Sequence, residues 1–318
     1  ALSGKVSAGN VVVFVGSLQK LLTGLTHMCT SFVTLAFEAK KQISTLELIG
    51  LKDEMYKGKL PVEKRSDNEY RIEFKNVYFK YPGSDEYALK NFSMELNIGE
   101  KLAIVGMNGS GKTTMIKLLC RLYDVEKGEI LLNGVDIRKF DQREYRRLFS
   151  VVFQDFNILP FTLEQNVAAD MEGDKKKIEE CLEKVGLKTR LDKLENGLDT
   201  YIGKSYDESG VEFSGGELQK IAIARAIYKE APFVLLDEPT AALDPIAEYE
   251  IYSNFDKMVK DKTAIYISHR LSSCRFCKNI AVFNEGEIVQ FGTHEELLGD
   301  TNGKYYELWN AQAQYYVL

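Results

Sequence analysis

The segment from Gly106 to Thr113 constrains the fold of this chain more than any other stretch of its sequence. It reads GMNGSGKT, fits the pattern GxxxxGK[ST], follows a short apolar run at residues 101–105 and precedes a helical pattern. Glycines let the backbone wrap an anion with successive N–H groups turned inward, and the helix that follows adds partial positive charge. The segment therefore predicts a strand, a phosphate-binding loop and a helix, and with them nucleotide binding.

Two side chains of this loop carry specific chemistry. Lys112 is expected to place its charge against the β- and γ-phosphates of the nucleotide, and the Thr113 hydroxyl is expected to ligate Mg²⁺. We expect the nucleotide, ATP, to be bound by the loop and the first helical turn: Gly106, Asn108, Gly109, Ser110, Gly111, Lys112, Thr113 and Thr114.

A second motif is acidic. The apolar run at residues 233–236 ends in Asp237 and Glu238. Adjacent carboxylates at the end of a buried strand are costly unless they meet a cation or a proton. Next to a phosphate loop, Asp237 is expected to help hold Mg²⁺ and Glu238 to polarise the attacking water. The alternative is that the pair only caps the turn before Pro239.

Around these motifs, apolar runs alternate with amphipathic stretches. Strands are predicted over Arg71–Phe79, Lys101–Val105, Phe149–Phe153, Phe233–Leu236 and Thr263–Ile267, and helices over Thr113–Tyr123, Lys175–Val185, Glu217–Lys229 and Ala247–Lys260. This order indicates an α/β domain with a parallel central sheet.

The N-terminal residues follow a different pattern. From Val11 to Phe37 the only charged residue is Lys20, and the span exceeds the roughly 20 residues that cross a bilayer. Gln19, Lys20 and His27 interrupt it, so two interpretations remain open: a buried amphipathic helix of a soluble protein, or a transmembrane helix with one polar face. The helical pattern then becomes charged, and residues 55–68 are typical of a linker.

Composition excludes some classes of function. The net charge of −6 lacks the basic footprint of a nucleic-acid-binding protein, so no nucleic-acid partner is expected. The five cysteines form an odd, scattered set that is typical of a reducing compartment, and the CxxC of Cys274 and Cys277 has no second pair for a metal site. The chain begins without Met or a signal peptide, and we expect it to be part of a longer protein.

Between the two catalytic motifs lies the segment FSGGELQ, residues 213–219, which opens a predicted helix. With it the chain resembles the ATP-binding-cassette (ABC) superfamily, whose signature reads LSGGQ, from Tyr70 to about residue 298. The resemblance implies that Tyr81 stacks on adenine, that Gln154 touches Mg²⁺ and senses the membrane domain, and that His269 is a catalytic switch. It further implies that nucleotide is contacted by Ser214, Gly215, Gly216, Glu217 and the D-loop residue Asp244.

Members of the superfamily pair two cassettes head to tail, each signature closing on the γ-phosphate bound by the other chain.

Two departures from the family pattern stand out. Phe213 and Glu217 replace the usual Leu and Gln, and Glu217 brings negative charge near a phosphate. Residues 203–210 are longer than the usual turn of exporters, which bears on how the cassette contacts membrane helices.

The resemblance favours an exporter-type ABC transporter and, for Val11–Phe37, the transmembrane interpretation. Residues 1–54 would then be the end of a transmembrane domain, 55–69 a linker, and 70–318 the nucleotide-binding domain, with a parallel central sheet, an antiparallel β-subdomain and a helical subdomain. Residues 7–10 would form an outer loop. The expected partners are a second half-transporter, identical or related, and further transmembrane helices. The expected substrate is a peptide, a lipid or a drug-like molecule. The whole would be a multi-pass plasma-membrane protein with a cytoplasmic cassette. The alternatives are a soluble ABC ATPase acting on nucleic acid or ribosomes, and the separate cassette of an importer.

Overall fold

The computed structural model describes residues 7–50, 55, 57–63, 70–239, 259, 262–268, 271, 274 and 277–316. The chain divides into two units, one ending at Met55 and the other beginning at Tyr56. The predicted helix over 247–260 lies outside the described residues except for Val259, and Asp244 and His269 lie outside them as well.

In its described residues, the first unit contains one continuous helix, α1 (Ala8–Ile49). It covers both the predicted membrane span and its charged extension, and it is long and apolar enough to cross a membrane. The expectation of a loop over residues 7–10 was wrong for Ala8–Asn10. Ser7 caps the helix by accepting a hydrogen bond from the Asn10 N–H at 3.3 Å, and this contact allows the helix to begin before the apolar run.

The second unit contains two sheets. Its strands are β1 (Ile72–Phe79), β2 (Leu89–Leu96), β3 (Lys101–Gly106), β4 (Lys127–Leu132), β5 (Val135–Asp136), β6 (Phe149–Val152), β7 (Phe233–Asp237), β8 (Thr263–Ile267), β9 (Asn279–Asn284) and β10 (Glu287–Gly292). Within the described residues, one sheet is antiparallel in the order β2–β1–β4–β5, and the larger one has the order β10–β9–β3–β8–β7–β6. The strands of the larger sheet are parallel except for β10, which pairs antiparallel with β9 at the edge. The expected parallel central sheet and antiparallel subdomain are confirmed.

The helices of this unit connect or cover those strands. Within the described residues they are α2 (Lys112–Leu119), α3 (Gln142–Arg147), α4 (Leu163–Ala168), α5 (Lys175–Lys184), α6 (Lys188–Leu191), α7 (Gly215–Tyr228), α8 (His294–Gly299) and α9 (Lys304–Tyr316), with 3₁₀ turns at Ile137–Lys139 and Gly197–Asp199. Helix α2 ends before the predicted boundary at Tyr123. Cys120 closes it, and Arg121 then takes a left-handed φ of 51° that a helix cannot continue through.

The central sheet is buried on both faces, as its continuous apolar strands predict. Ala103 and Val105 of β3 enter one core with α5 and α7, whereas Leu102 and Ile104 enter the other with α2 and the antiparallel sheet. Because β3, β7 and β8 are parallel neighbours, their carboxyl ends lie at the same edge of the sheet. The phosphate loop and the acidic pair therefore meet there.

Part of the predicted linker is attached to this second unit. The Leu60 N–H donates to the Lys139 carbonyl at 3.0 Å, and the Asp141 N–H donates back to the Leu60 carbonyl at 2.7 Å. The Val62 N–H donates to the Glu144 carboxylate at 2.8 Å. Residues 60–62 therefore lie along the cassette.

Candidate functional site

The phosphate loop between β3 and α2 adopts a backbone that only glycine fits at two points. Gly106 has φ 151°, and a Cβ there would overlap the carbonyl of Phe283. Gly111 has φ 102°, and its Cβ would lie 2.7 Å from the Ala88 carbonyl oxygen. The Gly286 N–H also donates to the Ser110 carbonyl at 3.1 Å. The loop is thus clamped between β2 and the β9–β10 turn.

Lys112, the first residue of α2, folds its side chain back over this loop. Its Nζ atom donates to the carbonyls of Gly106 at 2.9 Å and Met107 at 2.8 Å. Burial lowers the pKa of Lys112, and the negative charges of Glu238 and Asp237 oppose that shift. The ammonium group is therefore partly desolvated and electrostatically coupled to both carboxylates, an arrangement that suits a ligand carrying several negative charges.

Tyr81 lies at the side of the loop. Its hydroxyl is 3.1 Å from the Thr114 hydroxyl, and its ring packs edge-on against Phe79 and Tyr123 with centroids 5.1 Å and 5.3 Å away. The Lys117 ammonium sits 5.6 Å from the ring centroid. The ring is half-buried and its orientation is fixed by these neighbours. A fixed aromatic ring beside the first turn of α2 fits the prediction that Tyr81 stacks on adenine.

The acidic pair stands at the end of β7. Asp237 is its last residue and is 0% exposed. Glu238 is half-buried and has a left-handed φ of 50°, which is uncommon for a residue with a side chain. Its N–H donates to the Ile267 carbonyl at 3.0 Å, and its own carbonyl accepts from Gln219 Nε2 at 3.4 Å. Backbone strain held by neighbours on both sides is typical of a functional position.

The oxygen donors near this edge fit the predicted Mg²⁺. Thr113 offers a hydroxyl, Asp237 a carboxylate, and Gln154, in the exposed turn after β6, an amide oxygen. Mg²⁺ prefers hard oxygen ligands and usually takes only one or two carboxylates from the protein, with phosphates and waters completing its shell. The donor set is of this kind.

The signature segment begins helix α7. Ser214 is its N-cap and forms a capping box with Glu217: the Ser214 N–H donates to the Glu217 carboxylate at 2.8 Å, and the Glu217 N–H donates to the Ser214 hydroxyl at 3.3 Å. Glu217 also lies 3.2 Å from Arg190, whose guanidinium covers the Phe213 ring at 5.2 Å. Both unusual residues, Phe213 and Glu217, therefore contact Arg190, whose positive charge balances the negative charge of Glu217.

Residues 89–241 match the family model described as ABC transporter. The chain belongs to the ABC transporter family. Members of this family hydrolyse ATP, and the two sheets of the ABC cassette found here are its fold. The exporter hypothesis is supported over a soluble ATPase acting on nucleic acid, since the curated relatives are ABC transport proteins.

The ABC relatives span more than this chain. The subtilin transport ATP-binding protein SpaT of Bacillus subtilis is 39% identical over 302 residues, which are 94% of this chain and 48% of SpaT. The ATP-dependent lipid A-core flippase of Escherichia coli K12 is 35% identical over 312 residues, covering 96% of this chain and 52% of the flippase. The solved structure of a bacterial Atm1-family ABC exporter with ATP bound matches 98% of this chain and 54% of its own, with 31% identity and a TM-score of 0.77. The chain spans about half the length of these relatives.

The cassette contains connections that sequence patterns did not predict. Arg225 of α7 donates to the carbonyl of Asn166 at 2.7 Å and of Asn157 at 3.2 Å, tying the signature helix to α4 and to the loop after Gln154. Gln219 of the same helix is 2% exposed and reaches Glu238. The sequence held one signal for these contacts: Arg225 and Gln219 lie on the apolar side of a predicted helix. A polar group in such a place is stable only when it has a hydrogen-bond partner.

Two further features of the cassette are resolved in the structure. The long segment 203–210 closes on itself, because Ile202 bridges Val211 and the Gly203 N–H donates to the Val211 carbonyl at 2.9 Å. At its tip, Tyr206 is 75% exposed and stacks on Phe161.

The CxxC cysteines are both buried in the core, and burial raises the pKa of Cys274 well above its usual range.

Proposed function

We propose that this chain is the ATP-binding and ATP-hydrolysing part of an ABC exporter, working as a pair of identical or related chains. One observation carries the proposal: the phosphate loop, Asp237 and Glu238 lie at the carboxyl edge of one sheet, and the signature helix is bonded to Glu238 through Gln219. The transport function stated for SpaT and for the lipid A-core flippase supports the exporter part of the proposal.

In the binding step, the loop N–H groups and Lys112 hold the phosphates of ATP, and Tyr81 supports the adenine. Mg²⁺, when bound with the nucleotide, supplies positive charge that balances the phosphate oxygens, and Thr113, Gln154 and Asp237 would hold it. Burial disfavours the charged form of Lys112, and the negative charge of a bound polyanion favours it. The ammonium group is therefore stabilised most by a ligand with several negative charges.

In the chemical step, Glu238 orients and polarises a water molecule for attack on the γ-phosphorus and accepts its proton, while ADP leaves with the bridging oxygen. The left-handed backbone of Glu238 turns its side chain at the point where β7 ends, next to the phosphate loop. His269, which follows Ser268 at the end of β8, is proposed as the second catalytic residue, and it lies outside the described residues.

The second half of each site is proposed to come from a partner chain. Ser214 and Gly215 at the start of α7 are exposed. The Ser214 hydroxyl accepts from the Glu217 N–H, so its own O–H remains to donate to a phosphate oxygen. With Gly216, Glu217 and Asp244, this helix start would close on ATP held by the phosphate loop of the other chain.

Helix α1 is proposed as the last transmembrane helix of a multi-pass plasma-membrane protein whose cassette is cytoplasmic. Its 42 residues extend about 63 Å at 1.5 Å per residue, roughly twice the hydrocarbon thickness, which leaves a cytosolic extension. Lys20, Thr23, His27 and Thr30 follow the 3–4–3 spacing of one helix face, with Gln19 beside it. The hydroxyls of Thr23 and Thr30 bond to the helix's own backbone, and Gln19, Lys20 and His27 are the proposed polar groups that face a substrate path.

Coupling to the membrane domain is proposed to use two surfaces beside the Gln154 loop. One is an apolar groove of about 480 Å³ between β6, the end of α4 and the end of α7. The other is the exposed stack of Phe161 and Tyr206. The transported substrate is proposed to be a peptide, a lipid or a drug-like molecule, and stimulation of ATP hydrolysis by a panel of these classes would identify which.

The decisive experiment uses the full-length transporter in lipid nanodiscs. Glu238→Gln is expected to lower ATP turnover by about 10³-fold and to leave ATP trapped in the closed dimer, because binding is intact and the proton acceptor is lost. Glu285→Gln is the matched control, since Glu285 is exposed and has a similar left-handed φ of 51°. Continued turnover by Glu238→Gln would contradict the catalytic role of that carboxylate, and recovery of the full-length protein in the aqueous phase after detergent partitioning would contradict the membrane assignment.

A further inference from the structure

The C-terminal helix α9 is anchored close to the sheet edge that carries the nucleotide site. Tyr305 in its first turn is 0% exposed. The Tyr305 N–H donates to the Gln290 side-chain oxygen at 2.8 Å, and the Tyr305 hydroxyl lies 2.8 Å from Nδ1 of His294. The Trp309 ring packs on the His294 ring with centroids 4.8 Å apart. These contacts fix the start of α9 against β10 and α8.

From this anchor, one face of α9 runs toward the phosphate loop. Tyr305, Leu308 and Gln312 are spaced by three and four residues, so they lie on the same side of the helix. Leu308 and Gln312 line a cavity of about 280 Å³ whose other walls are residues 106–108 of the phosphate loop, Ser268 and Leu271. The helix therefore forms one wall of the space beside the nucleotide-binding loop.

Gln312 makes a specific bond across this space. Its side-chain oxygen accepts a hydrogen bond from the Leu271 N–H at 2.9 Å. Leu271 is 2% exposed and belongs to the core under the sheet. On the other side of His269, the Ser268 N–H donates to the Ile104 carbonyl of β3 at 3.3 Å. The described residues that flank positions 269 and 270 are thus tied to β3 on one side and to α9 on the other.

We propose that Gln312 is a positioning residue for ATP hydrolysis: its hydrogen bond holds Leu271, two residues after His269 in the sequence, beside the phosphate loop. The proposal rests on the proposed ATPase function and on the assignment of His269 to it. Gln312 acts through the Leu271 backbone, so its removal is expected to lower the rate of the chemical step and to leave ATP binding intact.

The test is the steady-state ATPase activity of the full-length transporter with three variants. Gln312→Met keeps the length of the side chain and removes its accepting oxygen, whereas Gln312→Glu keeps an oxygen at that position. Ala311→Met places the same new side chain one residue away, on an exposed position. We expect Gln312→Met to lower kcat about tenfold with KM for ATP changed less than twofold, Gln312→Glu to recover most of kcat, and Ala311→Met to match the parent protein.

A double-mutant cycle with His269→Ala separates positioning from general destabilisation. If Gln312 acts through His269, Gln312→Met has little further effect on single-turnover hydrolysis once His269 is removed. An equal tenfold loss in both backgrounds, or an unchanged kcat in Gln312→Met, would overturn the proposal. A parent transporter that binds ATP and does not hydrolyse it would instead overturn the proposed function, so the two failures are distinguishable.

Discussion

The side-chain nitrogen Nε2 of Gln219 lies 3.4 Å from the carbonyl oxygen of Glu238. This contact joins the middle of the signature helix to the turn that carries the proposed catalytic carboxylate. On its other side, the Glu238 N–H is bonded to Ile267 of β8. The left-handed backbone of Glu238 is therefore held from two elements, and a shift of helix α7 is transmitted to the position of the carboxylate.

Gln219→Met is expected to lower ATP turnover about tenfold, because it removes a hydrogen-bond donor from the partly buried carbonyl of Glu238 without greatly changing the side-chain volume. ATP affinity is expected to stay within about twofold, since the hydrogen bond that is removed goes to the backbone carbonyl of Glu238. The control is Lys220→Met on the same helix, at a half-buried position. A loss of ATP binding equal to the loss of turnover would contradict the positioning role.

The phosphate loop provides a comparison between two glycines in similar conformations. Gly111 has φ 102° and a Cβ there would crowd the Ala88 carbonyl and the Leu89 side chain, whereas Gly109 has φ 77° and open space around it. Without nucleotide, Gly109→Ala is expected to cost only the backbone strain of about 1 kcal/mol. Gly111→Ala is expected to cost about 3 kcal/mol, because the overlap adds to the strain.

Thermal unfolding of both glycine variants in the absence of ATP checks this difference. The expected fall in melting temperature is about three times larger for Gly111→Ala than for Gly109→Ala. Equal shifts would mean that the clamp between the loop and β2 does not contribute to stability.

The pair of Glu217 and Arg190 predicts two opposite effects on closure of the proposed dimer. Glu217→Gln retains the capping box and removes a negative charge, so the ATP concentration for half-maximal closure is expected to fall about threefold. Arg190→Met leaves the Glu217 carboxylate without its counter-charge, and that concentration is expected to rise about threefold. The measurement is ATP-dependent cross-linking of two chains, and the double variant should return close to the parent value.

Cys120 lines the apolar groove beside β6, and burial raises the pKa of its thiol to about 12. Since only the thiolate reacts with iodoacetamide, its alkylation at pH 8 is expected to be about 10³-fold slower than that of a thiol with the ordinary pKa of 9.0, and to accelerate about tenfold per pH unit above this. Mass spectrometry of the peptide around Cys120 measures the rate, and the same protein in concentrated urea is the control.

The same pKa fixes the sign of a stability effect. A folded-state pKa raised above the unfolded value favours the protonated thiol, so the contribution of Cys120 to stability is complete below pH 9 and is lost as pH rises toward about 12. Cys120→Ala is expected to flatten this part of the alkaline unfolding profile. An alkaline unfolding profile that Cys120→Ala leaves unchanged would contradict the predicted contribution of this thiol to stability.

Local sequence determined much of the cassette. The strand over Thr263–Ile267 was predicted with the bounds that the structure has, and β3 and β7 each differ from their predictions by one residue at their carboxyl ends. Helix α7 begins at Gly215 because Ser214 and Glu217, three residues apart, form a capping box. Such features depend on residues a few positions apart, and a single sequence contains all the information they need.

Tertiary structure alone decided which distant residues meet. The order β10–β9–β3–β8–β7–β6 brings Gly106 and Asp237 to one edge, although the sequence places them far apart. The bonds from Gln219 to Glu238, from Arg225 to Asn157 and from Gln312 to Leu271 have no local signature. They form because packing the two faces of the sheet buries these polar groups, and a buried polar group is stable only with a partner that the rest of the fold supplies.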